Sequence, residues 1–181
     1  WVAGSRRFIW EETERRASPY DSSTKVNPPL RTEADVRALW AGLADGTVDA
    51  IATDHAPHAS VRKDVEYAEA AFGISGLETA LAVLLMAVEA GMGDLATVVR
   101  ALTGGPARVL GQRAGASDLV VVDPALEWEV RPEVLVSKGK NTPLLGLRLR
   151  GRVVMAVVEG ETRYLDEALR RRGRPQPERV A

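Results

Sequence analysis

The run Val48-Asp49-Ala50-Ile51-Ala52-Thr53-Asp54-His55-Ala56-Pro57-His58 decides how this chain is read. A short, mostly apolar, β-rich stretch stops abruptly at an acid, followed closely by both histidines the chain owns. Strands buried in parallel α/β sheets have this texture, and ligands gather at their carboxyl ends. A carboxylate there is costly to bury unless it meets a proton, a cation or a metal. An aspartate can equally cap the next turn, and either histidine can be an ordinary loop residue. Three ionisable groups within five positions favour a site.

Upstream, Thr32 is placed to cap a helix whose first turn carries Glu33 and Asp35, where the helix dipole favours acids. Val36, Leu39, Trp40 and Leu43 repeat at helical spacing, and Asp45-Gly46 ends the run. A helix feeding a strand is the repeat unit of parallel α/β structure. Before it lies Lys25-Val26-Asn27-Pro28-Pro29-Leu30-Arg31, where paired prolines stiffen the backbone and hold Asn27 extended. That stiffness suits a plain rigid loop and a loop that aims Asn27 or Arg31 into a pocket equally well. Residues 1–31 otherwise suggest an interrupted strand over 2–10, a charged helical run over 11–16 and a turn over 18–23.

Downstream, residues 59–71 are polar and acidic, as substrate-contacting loops at strand ends often are. Ala71-Phe72-Gly73-Ile74-Ser75-Gly76 follows, with glycines that let backbone amides approach a ligand. A long apolar helix is expected from about residue 76 to Ala90, ended by Gly91, with Leu77, Ala80, Leu81, Leu84, Leu85 and Val88 as its buried stripe. Asp94 caps a further helix to about Leu102, and residues 103–111 read as a turn and short helix. The texture then changes. Strands are expected over 118–123 and 128–130, and a hairpin over 152–164 turning at Glu159-Gly160. The tail from Asp166, rich in arginine, is expected to fray.

Composition bounds the class. A length of 181 residues suits one domain or one and a half. With 45% apolar and 27% charged residues, the chain groups with folded proteins rather than disordered ones. Basic and acidic residues balance, 24 against 25, so nothing draws it to nucleic acid or an anionic membrane. Cysteine is absent, which excludes disulfides and thiolate metal sites and fits a cytoplasmic location. No apolar run is long enough to cross a bilayer. The opening Trp-Val-Ala-Gly-Ser-Arg-Arg has neither a methionine nor a signal-peptide layout, and reads as the middle of a longer sequence. The glycines match neither phosphate-loop nor dinucleotide spacing.

Three stretches in register, residues 25–31, residues 45–58 and Phe72-Gly73-Ile74-Ser75-Gly76-Leu77-Glu78-Thr79-Ala80, resemble dihydroorotase of the bacterial class I type. Ala107-Arg108-Val109-Leu110-Gly111, Asp118-Leu119-Val120 and Ser137-Lys138-Gly139-Lys140-Asn141-Thr142-Pro143 continue the resemblance to about Tyr164. The resemblance implies an α/β fold: the last part of a (β/α)8 TIM-type barrel of the metal-dependent hydrolases over residues 1–111, part of a small β-sandwich over 112–165, and a tail over 166–181. It implies reversible conversion of N-carbamoyl-L-aspartate and dihydroorotate in pyrimidine biosynthesis, with zinc as cofactor. Asp54 would bind metal and move the proton of the attacking water. Asn27 and His58 would hold the substrate while the backbone at Phe72 and Gly73 closes over it, with Arg31 and His55 in supporting roles. A homo-oligomer or a complex with aspartate carbamoyltransferase would follow.

The sequence departs from that pattern in ways that bear on activity. A complete barrel needs about 200 residues or more, and barrel-like sequence here ends near residue 111. The family's His-x-His motif and its middle-strand ligands have no counterpart, and Ser5-Arg6-Arg7 stands where the family carries Pro-His-His. Arginines oppose a metal cation by charge. This chain alone is therefore expected to be inactive. The alternatives are an inactive dihydroorotase-like scaffold for aspartate carbamoyltransferase, or another cyclic amidohydrolase such as allantoinase or dihydropyrimidinase.

Overall fold

The structure, a computed structural model, describes residues 20–112 and 118–172. Expectations for the first nineteen positions, Ser5-Arg6-Arg7 among them, and for the last nine lie outside the described residues.

Helix α1, Glu33–Asp45, begins where capping chemistry requires it. Thr32 accepts from the Asp35 amide at 3.4 Å while the Asp35 carboxylate accepts from the Thr32 amide at 3.1 Å, closing a reciprocal cap. Gly46, at φ 85°, ends the helix in the left-handed region. After the short helix α2, Ser60–Lys63, come α3, Ala80–Glu89, then α4, Leu95–Leu102, capped by Asp94, and α5, Gly104–Val109. Helix α2 stands inside the polar stretch that composition alone suggested as loop. No helix among the described residues is long and apolar enough to cross a membrane.

The remaining elements form one antiparallel sheet in the order β1-β2-β3, with β1 at Leu119–Glu129, β2 at Arg148–Val158 and β3 at Glu161–Leu165. Both short strands expected before residue 131 merge into β1, whose register slips between Asp123 and Glu127. The hairpin turns at Glu159 and Gly160, both at positive φ (55° and 79°), the turn that matches the natural twist of paired strands. Glu167–Arg172 is helical, α6, where the tail was expected to fray, and Asp166 ties its start to Val154 O by a 2.9 Å amide bond.

Two apolar clusters meet at α3. Leu84 and Ala87 join Val36, Trp40, Leu43, Val98 and Ala101 from the other long helices. Ala82 and Val83 join Val130, Leu135, Leu144, Leu147 and Leu149 from the sheet side. The one-sided stripe expected for this helix needs correcting: Leu77 precedes the helix and is exposed, whereas Ala82, Val83 and Ala87 are buried. A helix that is apolar all round is buried all round, and α3 is sandwiched.

The stretch after Val48 also differs from expectation. It runs extended but forms no ladder. Its amides bond helix ends instead, Val48 N–H to Gly42 O at 2.8 Å and Ile51 N–H to Ala101 O at 2.9 Å. The single strand-like pairing is an isolated parallel bridge between His55 and Ile74. A parallel ladder needs a neighbouring strand about 4.8 Å away, and no described strand lies beside this one. The described residues are thus α/β with one small sheet; they close no barrel and form no second sheet.

Leu149, 1% exposed, anchors the sheet-side cluster. Leu149→Ala is expected to cost about 2–5 kcal/mol. Urea unfolding should show a lower midpoint at unchanged slope; an unmoved midpoint would show that this cluster contributes little to the fold.

Candidate functional site

The extended stretch ends at Asp54, whose φ of 46° places it in the left-handed region, one of the few residue types that tolerate it. Its side chain is exposed and has no hydrogen-bond or ion-pair partner among the described residues. The backbone then runs alongside the 73–76 segment, Ala56 N–H donating to Ile74 O at 3.0 Å.

Both histidines are committed. His55 Nδ1 accepts the amides of Gly76 (3.2 Å) and Leu77 (3.1 Å), so Nε2 carries the hydrogen and faces Ser137 Oγ at 3.2 Å. His58 Nε2 lies 2.8 Å from Phe72 O, an acceptor, and therefore carries a hydrogen as well. Gly73 is held at φ 127°, and a Cβ there would lie 2.5 Å from Ala56 Cβ and 3.1 Å from His58 Nε2. Only glycine fits that approach. The structure thus brings His58, Phe72 and Gly73 together.

Asn27 arrives by a neighbouring segment. Lys25 O accepts the Gly73 amide at 3.0 Å, two residues before Asn27. The Asn27 side chain is exposed and unpartnered among the described residues, and the Asn27–Pro28 peptide is cis. Arg31 turns instead to Asp35, at 3.4 Å on the surface of α1.

Two lysines that composition did not single out support this floor. Lys63, almost fully buried, directs its ammonium at Ala71 O (2.9 Å), Gly73 O (3.1 Å) and Lys25 O (3.4 Å). Burial holds its pKa below the usual 10.5, and nearby Lys25 adds to the lowering while Asp21 opposes it. Lys25 reaches Ala68 O at 2.7 Å and lies 4.5 Å from the centre of the Phe72 ring.

A loop from the sheet side closes over the same ground. Asn141 makes four side-chain hydrogen bonds: Oδ1 accepts from His58 N–H (2.7 Å) and Ser75 Oγ (2.9 Å), and Nδ2 donates to Ala56 O and Gly73 O (3.1 Å each). Gly139 packs so tightly that a Cβ would lie 2.6 Å from His58 N. Next to this junction opens a cleft of about 480 Å³ lined by Ser22, His58, Ser60, Lys63, Lys138 and Asn141, among others. In the sequence, Lys63 is one charge in a polar run, and residues 137–143 enter only through the family resemblance, which gives Asn141 no role.

These residues do not fit a zinc ion by themselves. Structural and catalytic zinc takes three or four protein ligands. Asp54 offers a free carboxylate, but both nitrogens of His55 and Nε2 of His58 are engaged. Among the described residues no group of three or more His, Asp or Glu is placed to hold a metal ion.

The class of protein comes from the fold. The backbone superposes on L-hydantoinase (dihydropyrimidinase) from Arthrobacter aurescens with a TM-score of 0.74 and 26% identity, over 88% of this chain and 37% of that one. The chain is thus built like a portion of a cyclic amidohydrolase. Its sequence relatives are dihydroorotases: that of Geobacter sp. (strain M21) is 48% identical over 158 residues, 84% of this chain and 37% of the relative. That of Anaeromyxobacter dehalogenans (strain 2CP-C) is 54% identical over 150 residues, 80% of this chain and 35% of the relative. The resemblance seen in the motifs therefore holds along most of this chain, which spans little more than a third of these relatives, consistent with a carboxyl-terminal portion. No protein-family model matches.

Replacing Lys63 with methionine removes three donations and leaves the Ala71 carbonyl without a donor, while Gly73 O keeps the Asn141 amide, at a cost of about 1–3 kcal/mol at neutral pH. The pH dependence has a definite sign. Because the folded pKa lies below 10.5, the unfolded chain holds more protons between those values, and the Lys63 contribution makes stability rise with pH there. Unfolding midpoints across that window should show the increment in the wild type and lose it in Lys63→Met. Identical pH dependence in both would remove Lys63 from the account.

Proposed function

We propose that this chain is the carboxyl-terminal portion of a dihydroorotase-like cyclic amidohydrolase. In this reading residues 1–111 complete a (β/α)8 barrel, residues 112–165 form part of a small β-sandwich, and residues 166–181 are a tail. The reaction is the reversible conversion of N-carbamoyl-L-aspartate and dihydroorotate. The observation that carries the proposal is the exposed carboxylate of Asp54, unpartnered among the described residues and four residues before His58 of the His58–Phe72–Gly73 cluster. It lies in a chain whose relatives at about half identity are dihydroorotases.

The chemistry suits those groups. Ring opening adds water to a cyclic amide carbonyl, breaks the C–N bond and returns a proton to nitrogen. A carboxylate with no competing partner can take the water's proton and deliver it to the leaving nitrogen. The Nδ1 of His58, the amide of Asn27 and the backbone at Phe72 and Gly73 supply donors and acceptors for a carboxylated cyclic amide. Asp54 is also the one zinc ligand this reading assigns. The ion's other donors come from outside the described residues.

A segment exchange tests this. Replacing the matching segment of the Geobacter dihydroorotase with this chain should give an active enzyme. Asp54→Asn in that chimera should lower kcat by about 10²–10⁴ with the unfolding midpoint unchanged. A folded but inert chimera argues against the function, and wild-type turnover in the variant argues against Asp54.

A second reading is a non-catalytic scaffold for a partner such as aspartate carbamoyltransferase. The engagement of both imidazoles in structural bonds favours it. In either reading the purified 181-residue chain should neither hydrolyse dihydroorotate nor retain stoichiometric zinc after dialysis. Turnover with bound zinc, measured by elemental analysis, would overturn that expectation.

A further inference from the structure

We infer that Asn141 is a positioning residue that sets His58 and the Phe72–Gly73 backbone from the sheet side of the molecule. The inference deepens the proposed function and rests on its assignment of His58, Phe72 and Gly73 to the substrate.

The geometry is specific. An asparagine side chain has two acceptor directions and two N–H donors, and here each has a partner on the site-forming loops. One oxygen takes the His58 amide and the Ser75 hydroxyl; one nitrogen gives to Ala56 O and Gly73 O. The Asn141 carbonyl also accepts the Ser75 amide at 2.8 Å. Ala56, His58, Gly73 and Ser75 flank the groups assigned to the substrate, and none belongs to the segment that carries Asn141. Gly139, two residues before, admits the loop to this contact because it has no Cβ to strike His58 N. Ser137 holds His55 at the other end of the same loop. A carboxamide that bridges two loops fixes the distance between them, so the Nε2–H of His58 meets Phe72 O only while the bridge is intact.

The two histidines make the test direct, because only two imidazoles appear in a ¹H–¹⁵N spectrum of the whole chain. In the wild type the His58 Nε2–H should exchange slowly with solvent. Asn141→Ala should accelerate that exchange by about tenfold or more, while the His55 ring, held by Ser137 and the Gly76 and Leu77 amides, stays as it was. Asn141→Asp, which keeps the acceptor and loses the donor, should fall between the two. His58 signals identical to wild type in a folded Asn141→Ala protein overturn the inference. A second measurement needs no variant: the Asn141 side-chain NH₂ of the wild type should be protected and show contacts to Gly73 and Ala56. Fast, solvent-like exchange of that group also overturns the inference. Titrating dihydroorotate into the wild type tests the underlying reading separately. If His58 depends on Asn141 but does not respond to dihydroorotate, the substrate assignment fails and the positioning stands.

Discussion

The Asn141 carboxamide is the constraint on which the candidate site depends. The loops it joins, residues 54–58 and 72–76, pair their backbones only through an isolated bridge and form no ladder. Without a ladder, their backbone groups need partners from elsewhere, because buried amides and carbonyls are almost always paired. Asn141 supplies partners for the His58 amide and for the Ala56 and Gly73 carbonyls at once. Lys63 does the same from beneath, for the carbonyls of Ala71, Gly73 and Lys25. Gly73 O receives both, so a polar side chain from either side converges on one peptide. A half-buried network satisfied in this way fixes one arrangement, because each alternative leaves a polar group without its bond.

Apolar packing delivers those side chains to the same place. Helix α3 is buried on both flanks, its Leu84 and Ala87 toward the other helices and its Ala82 and Val83 toward the sheet. The turn before α3 carries the amides of Gly76 and Leu77 that His55 accepts. Glu78, on the same turn, accepts the Ser137 amide at 2.7 Å. One helix therefore fixes both the 54–58 segment and the 137–141 loop relative to a common frame. Disturbing its packing on the sheet side would move Asn141 with respect to His58 without touching either residue.

Local chemistry was legible and long-range chemistry was not. The cap at Thr32, the stop at Gly46, the cap at Asp94 and the Glu159-Gly160 turn each depend on neighbours within four positions, and all stand where residue type places them. The grouping of His58 with Phe72 and Gly73 was reached through resemblance, and the structure brings those three into contact. The extended form of residues 48–53 was legible, but its pairing depends on neighbours that residue type cannot reveal. The stripe of α3 was misassigned because an apolar helix has no periodicity to say that it has two buried faces. Lys63 and Asn141 act on partners as far as 38 and 85 positions away, and no local pattern marks such a residue.

Asp54 and the two histidines show how the site divides its labour. Adjacent in sequence and similar in chemistry, they have opposite fates. The imidazoles are donors and acceptors in fixed bonds, which makes them part of the framework. The carboxylate is held in a left-handed backbone conformation and leaves the framework without a partner among the described residues. A side chain in solvent gains nothing for the fold from that backbone geometry, which costs on the order of 1–3 kcal/mol where surroundings must impose it and less for an aspartate. The surroundings here do impose it: the next residue is locked by the Gly76, Leu77 and Ser137 contacts, so the chain must turn at Asp54. The bonds that hold His55 are thus what turn the chain at Asp54 and present its carboxylate to solvent.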